Sequence, residues 1–176
     1  MLITVVSCGQ KKTAEVDSKE KVVPNIERHL TVLSQRAEIF YYHLRHDDFN
    51  SEKIYMETIA GDGSVRYIYK YDHFSTNDTL AISGTTVTFK NNNLFLIKEK
   101  KFMIDGKTLY VGKYLYEGDN FAAHMYIDKS KGFILRHELF HNGLVEYHVN
   151  NLPESTFRKI MKDSTFFYVN SHNLRE

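Results

Sequence analysis

The chain has 176 residues, of which 42% are hydrophobic and 26% are charged, so it is long enough for one domain with a substantial core. Its 23 Lys and Arg residues nearly balance its 22 Asp and Glu residues, so the chain does not have the excess of positive charge that is typical of nucleic-acid-binding proteins. The single cysteine, Cys8, excludes an internal disulfide and a thiolate metal cage. The sequence contains no apolar run of about 18 residues, so it does not predict a membrane-spanning helix.

The sequence changes abruptly from apolar to polar at Cys8. The four residues Val5, Val6, Ser7 and Cys8 resemble the lipobox of bacterial lipoproteins, in which small residues precede a cysteine that receives diacylglycerol. The resemblance implies that residues 1–8 are a shortened signal and that residues 9–24 are a flexible tether. It also implies that acyl chains on Cys8 anchor the protein in a membrane of the bacterial cell envelope.

The amino-terminal segment is open to a second interpretation. A secretory signal usually has a basic region and an apolar stretch of about 7–15 residues, and only residues 1–7 precede Cys8. Residues 2–6 could instead form a buried strand, with Cys8 as a small hydrophobic side chain. With a working lipobox, Gly9 resembles the signal for sorting to the outer membrane, which is the location that we expect.

Residues 25–176 are expected to form a single β-rich domain that begins with a long helix. Apolar side chains recur at spacings of three and four over residues 26–46, and Asn25 suits the N-cap. These side chains are Leu30, Leu33, Ala37, Phe40, Tyr41 and Leu44. The aromatic run at residues 40–42 makes a strand the alternative for the second half of this segment.

From Lys53 onwards the apolar period changes to two, which is typical of β-strands. Gly61-Asp62-Gly63 is expected to turn a hairpin that has Ile54, Met56 and Thr58 on one strand and Val65, Tyr67, Tyr69 and Tyr71 on the other. Further strands are predicted at residues 80–83, 86–90, 94–98, 102–104, 108–116, 121–127, 133–141 and 144–149. Predicted turns are Asn91-Asn92-Asn93 and the type I′ dipeptides Asp105-Gly106 and Asn142-Gly143.

A short helix is predicted to begin at Leu152-Pro153-Glu154, and a last strand is predicted at residues 165–169. The strands follow one another without the helical crossovers that a parallel sheet needs. The predicted fold is therefore mainly β, a curved antiparallel meander sheet shaped as a half-barrel or barrel. One long N-terminal helix and one short C-terminal helix accompany it.

One sequence motif suggests catalysis by zinc. His137-Glu138-Leu139-Phe140-His141 matches H-E-x-x-H and resembles the zincin metalloproteases, which implies zinc ligands at His137 and His141 and a general base at Glu138. Glu154 or Glu176 could supply a distant third ligand. The extended metzincin form fails, since Leu144 and Tyr147 stand where it needs a glycine and a histidine. In a strand the two histidines would lie about 13 Å apart, too far to share an ion.

The hairpin interpretation of the same residues leads to a different cluster. A two-residue turn at Asn142-Gly143 would pair His141 with Leu144 and place His137 beside His148, with Glu146 nearby. Such a cluster could hold a metal or respond to pH near 6. Two solvent-facing histidines are the simpler expectation.

Two further groups could bind a ligand. His43, His46 and Asp47 would share one face of a helix as possible metal ligands, although a solvated helix end is the more common role of such residues. Tyr67, Tyr69 and Tyr71 could be a stacking platform for a sugar or an apolar ligand, although a core face is the commoner arrangement.

The sequence thus favours, over an enzyme, a non-enzymatic cell-envelope lipoprotein that binds a protein partner or an apolar ligand and needs no cofactor. The alternative is a zinc-dependent hydrolase that uses His137, Glu138 and His141, with His148 as a further candidate ligand.

Overall fold

The computed structural model describes residues 30–43, 48–118, 122–138, 144–149 and 152–167, which contain eleven strands and two short helices. The strands are β1 (Thr31–His43), β2 (Asp48–Gly61), β3 (Ser64–Tyr71), β4 (Asp78–Ser83), β5 (Thr86–Phe89), β6 (Asn92–Asn93), β7 (Phe95–Ile104), β8 (Lys107–Glu117), β9 (Ala122–Asp128), β10 (Gly132–Glu138) and β11 (Leu144–Val149). The helices are α1 (Glu154–Lys162) and α2 (Ser164–Phe167).

All strand pairs are antiparallel, and the sheet order is β6-β5-β4-β3-β2-β1-β11-β10-β9-β8-β7. We call β1 to β6 the first half of the sheet and β7 to β11 the second half, and the two halves join where β1 pairs with β11. The edge strands β6 and β7 are separated in the chain by Leu94 alone, so the sheet must curl until its edges approach each other. Among the described strands β6 and β7 are not paired, so the sheet is not closed into a barrel.

Side chains from the inner faces of both halves form the main core. In β3, the buried residues Tyr67 and Tyr69 alternate with less buried ones, as expected of a strand with one buried face. The ring of Phe89 in the first half lies 5.1 Å from the ring of Tyr116 and 5.2 Å from that of Phe133 in the second half. The concave side of the sheet is thus occupied by the sheet's own side chains.

A second core lies on the outer face of the second half, beneath the two helices. Ile160 of α1 and Phe166 and Phe167 of α2 are fully buried there against strand residues such as Val111 and Tyr126. Among the described residues, no helix has both the length and the apolar character to cross a membrane.

The prediction of a long helix over residues 26–46 is wrong, because residues 31–43 form β1. Ala37 and Ile39 of β1 are buried with a period of two, and the strand pairs with β2 on one side and with β11 on the other. Aromatic and β-branched side chains fit a strand that is paired on both sides. This preference and the pairing outweigh the helical signal in the spacing of the apolar residues.

The hairpin predicted from Lys53 is confirmed, with Asp62 and Gly63 at positive φ in its turn. The turn at Asp105-Gly106, the strand at residues 144–149 and the short helix after Pro153 are also confirmed. The turn predicted at residues 91–93 lies one residue earlier, since Lys90 and Asn91 have positive φ and residues 92–93 pair as β6. The strands predicted at 94–98 and 102–104 are one strand, β7.

The last strand, predicted at residues 165–169, is wrong where the structure describes it, because residues 164–167 form α2. The backbone N–H groups of Phe166 and Phe167 donate to the carbonyl of Asp163, and both rings are buried in the second core. Residues 1–29, with Cys8 and the predicted tether, lie outside the described residues, as does the turn at Asn142-Gly143.

Candidate functional site

A cavity of about 410 Å³ lies between the two halves of the sheet and combines charged and aromatic side chains. Its lining residues are Tyr41, Glu52, Tyr71, Phe74, Thr76, Asp78, Lys90, Arg136, Glu138 and Glu146. They come from β1 to β4, the connection between β3 and β4 and the residue after β5 on one side, and from β10 and β11 on the other.

The inner face of the sheet changes from apolar to polar at this cavity. In β1, Tyr41 follows the buried Ile39 by two positions, and in β2, Glu52 precedes the buried Ile54 by two positions. Residues two apart in a strand share a face, so the strands that build the core also place polar groups in the cavity.

Strand β10 brings Arg136 and Glu138 into the cavity through an irregularity. Its register against β9 shifts between Phe133 and Leu135, which is a β-bulge or a related distortion. Phe133 therefore belongs to the inner core and Leu135 to the outer one, while Arg136 lines the cavity.

Carboxylates surround the guanidinium group of Arg136. Its Nε is ion-paired with Glu146 Oε2, its Nη1 lies 3.5 Å from Asp78 Oδ2, and its Nη2 lies 3.4 Å from Glu138 Oε1. Burial disfavours the charge on Arg136, but Glu146 and its other neighbours raise the pKa of the guanidinium above its ordinary value. Arg136 is thus a permanent cation in contact with three carboxylates.

The two tyrosines of the cavity donate hydrogen bonds to carboxylates. The hydroxyl of Tyr71 donates to Asp78 at 3.1 Å, and that of Tyr41 donates to Glu52 Oε2 at 3.0 Å. Burial, and then nearby carboxylates, raise the pKa of both tyrosines well above the ordinary value, so both hydroxyls stay protonated. The other oxygen of Glu52, Oε1, is buried and has no hydrogen-bond partner among the described residues.

Negative charge exceeds positive charge in the cavity lining. Four carboxylates face two cations, Arg136 and Lys90, and Lys90 lies 2.6 Å from Asp78 Oδ1. Burial raises the pKa of Glu146 to about 7; Arg136 opposes this shift, while Glu138 and Asp78 add to it. The cavity therefore holds a carboxyl group that exchanges its proton near neutral pH.

The first two residues of the H-E-x-x-H motif lie on strand β10 and point to opposite faces of the sheet. Glu138 lines the cavity, whereas the ring of His137 stacks on Phe167 on the outer face, with ring centres 5.2 Å apart. The metalloprotease hypothesis needs a helix at these residues, and the structure has a strand there. His141 lies outside the described residues.

The predicted pairing of His137 with His148 is wrong. In the structure His137 pairs with Val145 and Arg136 with Glu146, and His148 pairs with Ile39 of β1. The register of β10 against β11 therefore differs by three residues from the one that a two-residue turn at Asn142-Gly143 would give. The cross-strand neighbour of His137 on its other side is His124 of β9.

The tyrosine ladder of β3 is a core face for most of its length. Tyr67 and Tyr69 are buried in the main core, and Tyr71 alone of the three lines the cavity. His43 lies at the end of β1 rather than on a helix, and His46 and Asp47 lie outside the described residues.

Sequence reasoning missed most of the cavity residues. Glu52 could have been found, since a glutamate at a core-facing position of an alternating strand is a signal for a polar site. Arg136 gave no such signal, because the irregularity in β10 changes which positions face inward.

No group of three or more His, Cys, Asp or Glu side chains in the described ranges has an arrangement that could hold a metal ion. No protein-family model matches the chain, and no curated protein or solved structure is significantly similar to it.

Proposed function

We propose that the protein is a binding module of the cell envelope whose cavity takes a small ligand with an ammonium or guanidinium group. The observation that carries this proposal is the excess of carboxylates over cations in the cavity lining. The proposal differs from the apolar ligand that the sequence suggested, because the lining is rich in charged groups.

The electrostatics of the cavity favour a third positive charge. Arg136 contacts three carboxylates and Lys90 contacts Asp78, which leaves Glu52 with a hydrogen bond from Tyr41 but no ion pair among the described residues. Negative charge that is removed from water without a counter-charge is costly. A ligand cation next to Glu52 would relieve that cost.

Aromatic rings at the cavity also suit a cation. Phe74 is 62% exposed, and its ring packs edge-on against Tyr71 at 5.9 Å. Ring faces attract ammonium and guanidinium groups, best where water is partly excluded. Carboxylates inside and aromatic rings at the rim are a common way to select an organic cation.

Calorimetric titration of the full chain with putrescine, 1-butanol and succinate tests the proposed ligand class. These probes are of similar length and differ in charge. We expect putrescine to bind with the lowest Kd, because it is the one that supplies positive charge. Binding of succinate in preference to putrescine, or of none of the three, would contradict the proposal.

Two variants test whether putrescine binds in the cavity. Glu52→Gln removes a cavity charge with little change of shape, so we expect putrescine to bind at least tenfold more weakly, as loss of a charge-assisted hydrogen bond costs about 1.5–3 kcal/mol. Glu99→Gln removes the charge of an exposed glutamate of β7 and serves as the matched control. Equal affinity in the two variants would show that putrescine binds elsewhere.

We also propose that acyl chains on Cys8 anchor the protein, with the outer membrane as its location. The support is the similarity of residues 5–8 to the lipobox, followed by a polar segment. Metabolic labelling with an alkyne fatty acid tests it in a bacterial host. The wild-type chain should take up label and fractionate with membranes, and Cys8→Ser should do neither; label in Cys8→Ser would contradict the assignment.

A further inference from the structure

We propose that α2 is held on the sheet by an acid-sensitive latch, in which protonation of His124 and His137 releases the helix from β8, β9 and β10. The latch lies on the outer face of the second half and uses none of the cavity residues, so it is independent of the proposed ligand.

Within the part of the chain that the structure describes, three hydrogen bonds hold Phe166 and Phe167 of α2 on the sheet. Lys113 of β8 is fully buried, and its Nζ donates to the carbonyl of Phe167 at 2.8 Å and to that of Phe166 at 3.3 Å. The hydroxyl of Tyr126 in β9 donates to the same carbonyl of Phe167 at 2.9 Å. A lysine charge next to the last carbonyl groups of a helix is favourable, and here the lysine that donates to these carbonyl groups is buried.

Two imidazoles lie beside this attachment. His124 is 3% exposed and is the cross-strand neighbour of His137, with ring centres 6.2 Å apart, and the ring of His137 stacks on that of Phe167 at 5.2 Å. His124 Nε2 and His137 Nδ1 are both buried and have no hydrogen-bond partner among the described residues. Neither ring has an acceptor in place for a second proton.

The charged groups that contact α2 and its attachment are mostly cationic. The charge of Lys113 in β8 acts on both imidazoles, and Lys98 of β7 donates to the carbonyl of Thr165 in α2. Lys100 of β7 donates to Thr165 and is paired with Asp163, the carboxylate that precedes α2. The described side chains of α2 itself carry no charge.

These surroundings oppose protonation while α2 is docked. Burial, then Lys113 and His137, lower the pKa of His124 to about 3, and burial and Lys113 lower the pKa of His137. A histidine in water has a pKa of about 6.5. A pKa that is depressed in the docked state makes the contribution of each histidine to docking fully present above about pH 6.5 and weaker as the pH falls below it, by up to about tenfold per pH unit. Burial and Lys98 also lower the pKa of Lys113, to about 8, so this lysine takes up its proton mainly above the pH range of the histidines.

Hydrogen exchange of the full chain tests the latch. The amides of Phe166 and Phe167 donate to the carbonyl of Asp163 at 3.0 and 2.8 Å, so their protection factors report whether α2 is docked. From pH 7.5 to pH 5.5 we expect these factors to fall by about ten- to a hundredfold, as one or two histidines take up a proton on release. The amide of Phe133, which donates to Tyr69 in the main core, should keep its protection.

Replacement of both histidines identifies the titrating groups. In the double variant His124→Phe, His137→Phe we expect the protection of α2 to be the same at both pH values. Should the variant fail to fold, imidazole resonances of the wild-type chain replace it, because neither ring should take up a proton until α2 opens. Unchanged α2 protection at pH 5.5, parallel loss at Phe133, or ring protonation with α2 still docked would each overturn the proposal.

Discussion

The side-chain hydroxyl of Tyr69 in β3 accepts a hydrogen bond from the backbone N–H of Phe133 in β10, at 2.9 Å. The two rings also pack against each other, with centres 5.2 Å apart. This contact joins the two halves of the sheet directly. It brings the tyrosine against Gly132, where a Cβ atom would overlap the Tyr69 hydroxyl and lie 3.1 Å from the ring of Tyr67.

Gly132→Ala should therefore destabilise the protein strongly. The residue has φ +84°, which alanine rarely adopts, and the added methyl group would separate the two halves. We expect a loss of about 2–4 kcal/mol in the free energy of unfolding, measured by urea denaturation. The control is Gly63→Ala, which has φ +71° and no atom within 4 Å of the new Cβ, and should cost only about 1 kcal/mol. Equal losses would mean that the contact with Tyr69 is unimportant.

The parts of the fold that could be predicted are those fixed by local chemistry. The alternation of apolar and polar side chains, together with the positive φ at Asp62 and Gly63, is almost enough to determine the hairpin of β2 and β3. The positive φ at Asp105 and Gly106 likewise determines the hairpin of β7 and β8. Strand β1 was mispredicted because its sequence allows either period. Its pairing with β11 depends on residues more than a hundred positions away, which no local pattern records.

The cavity was harder to predict for the same reason. Its charged residues come from five strands or their ends, and the irregularity in β10 reverses the inward-facing positions there. The motif that suggested chemistry, His137-Glu138, contributes one residue to the cavity and the other to the opposite face. Glu146, expected beside two histidines, instead pairs with Arg136.

Arg136→Met should destabilise the protein by about 3–5 kcal/mol at pH 7.5, because it leaves buried carboxylates without their shared cation. The loss should be smaller near pH 4.5, where the freed carboxyl groups can be protonated. Thermal or urea unfolding at the two pH values measures both effects.

Arg158→Met is the matched control for that substitution. Arg158 pairs with Glu154 on the surface of α1, where the two side chains are 66% and 68% exposed. Its removal should change the free energy of unfolding by less than about 0.5 kcal/mol. A similar effect of the two substitutions, or a loss at Arg136 that does not depend on pH, would contradict the role assigned to the carboxylates around it.

Glu146→Gln should remove the pH dependence of stability that the buried carboxyl group imposes. Burial raises the pKa of Glu146 from 4.5 to about 7, so this residue favours folding fully below about pH 4.5, and that contribution is lost as the pH rises through 7. Glutamine resembles the protonated form at every pH. The free energy of unfolding of the variant minus that of the wild type should therefore increase from pH 4.5 to pH 7.5, by at most about 3 kcal/mol.

The comparison with wild type at each pH matters, because His124 and His137 act in the opposite direction below about pH 6.5. Their contributions are common to both proteins and cancel in the difference. A difference that stays constant with pH would show that Glu146 is ionised throughout, with Arg136 fully compensating its burial.

An increase in the difference would also predict proton release when a cation enters the cavity, since added positive charge lowers the pKa of Glu146. Titration of putrescine in buffers of different ionisation enthalpy would measure that release directly.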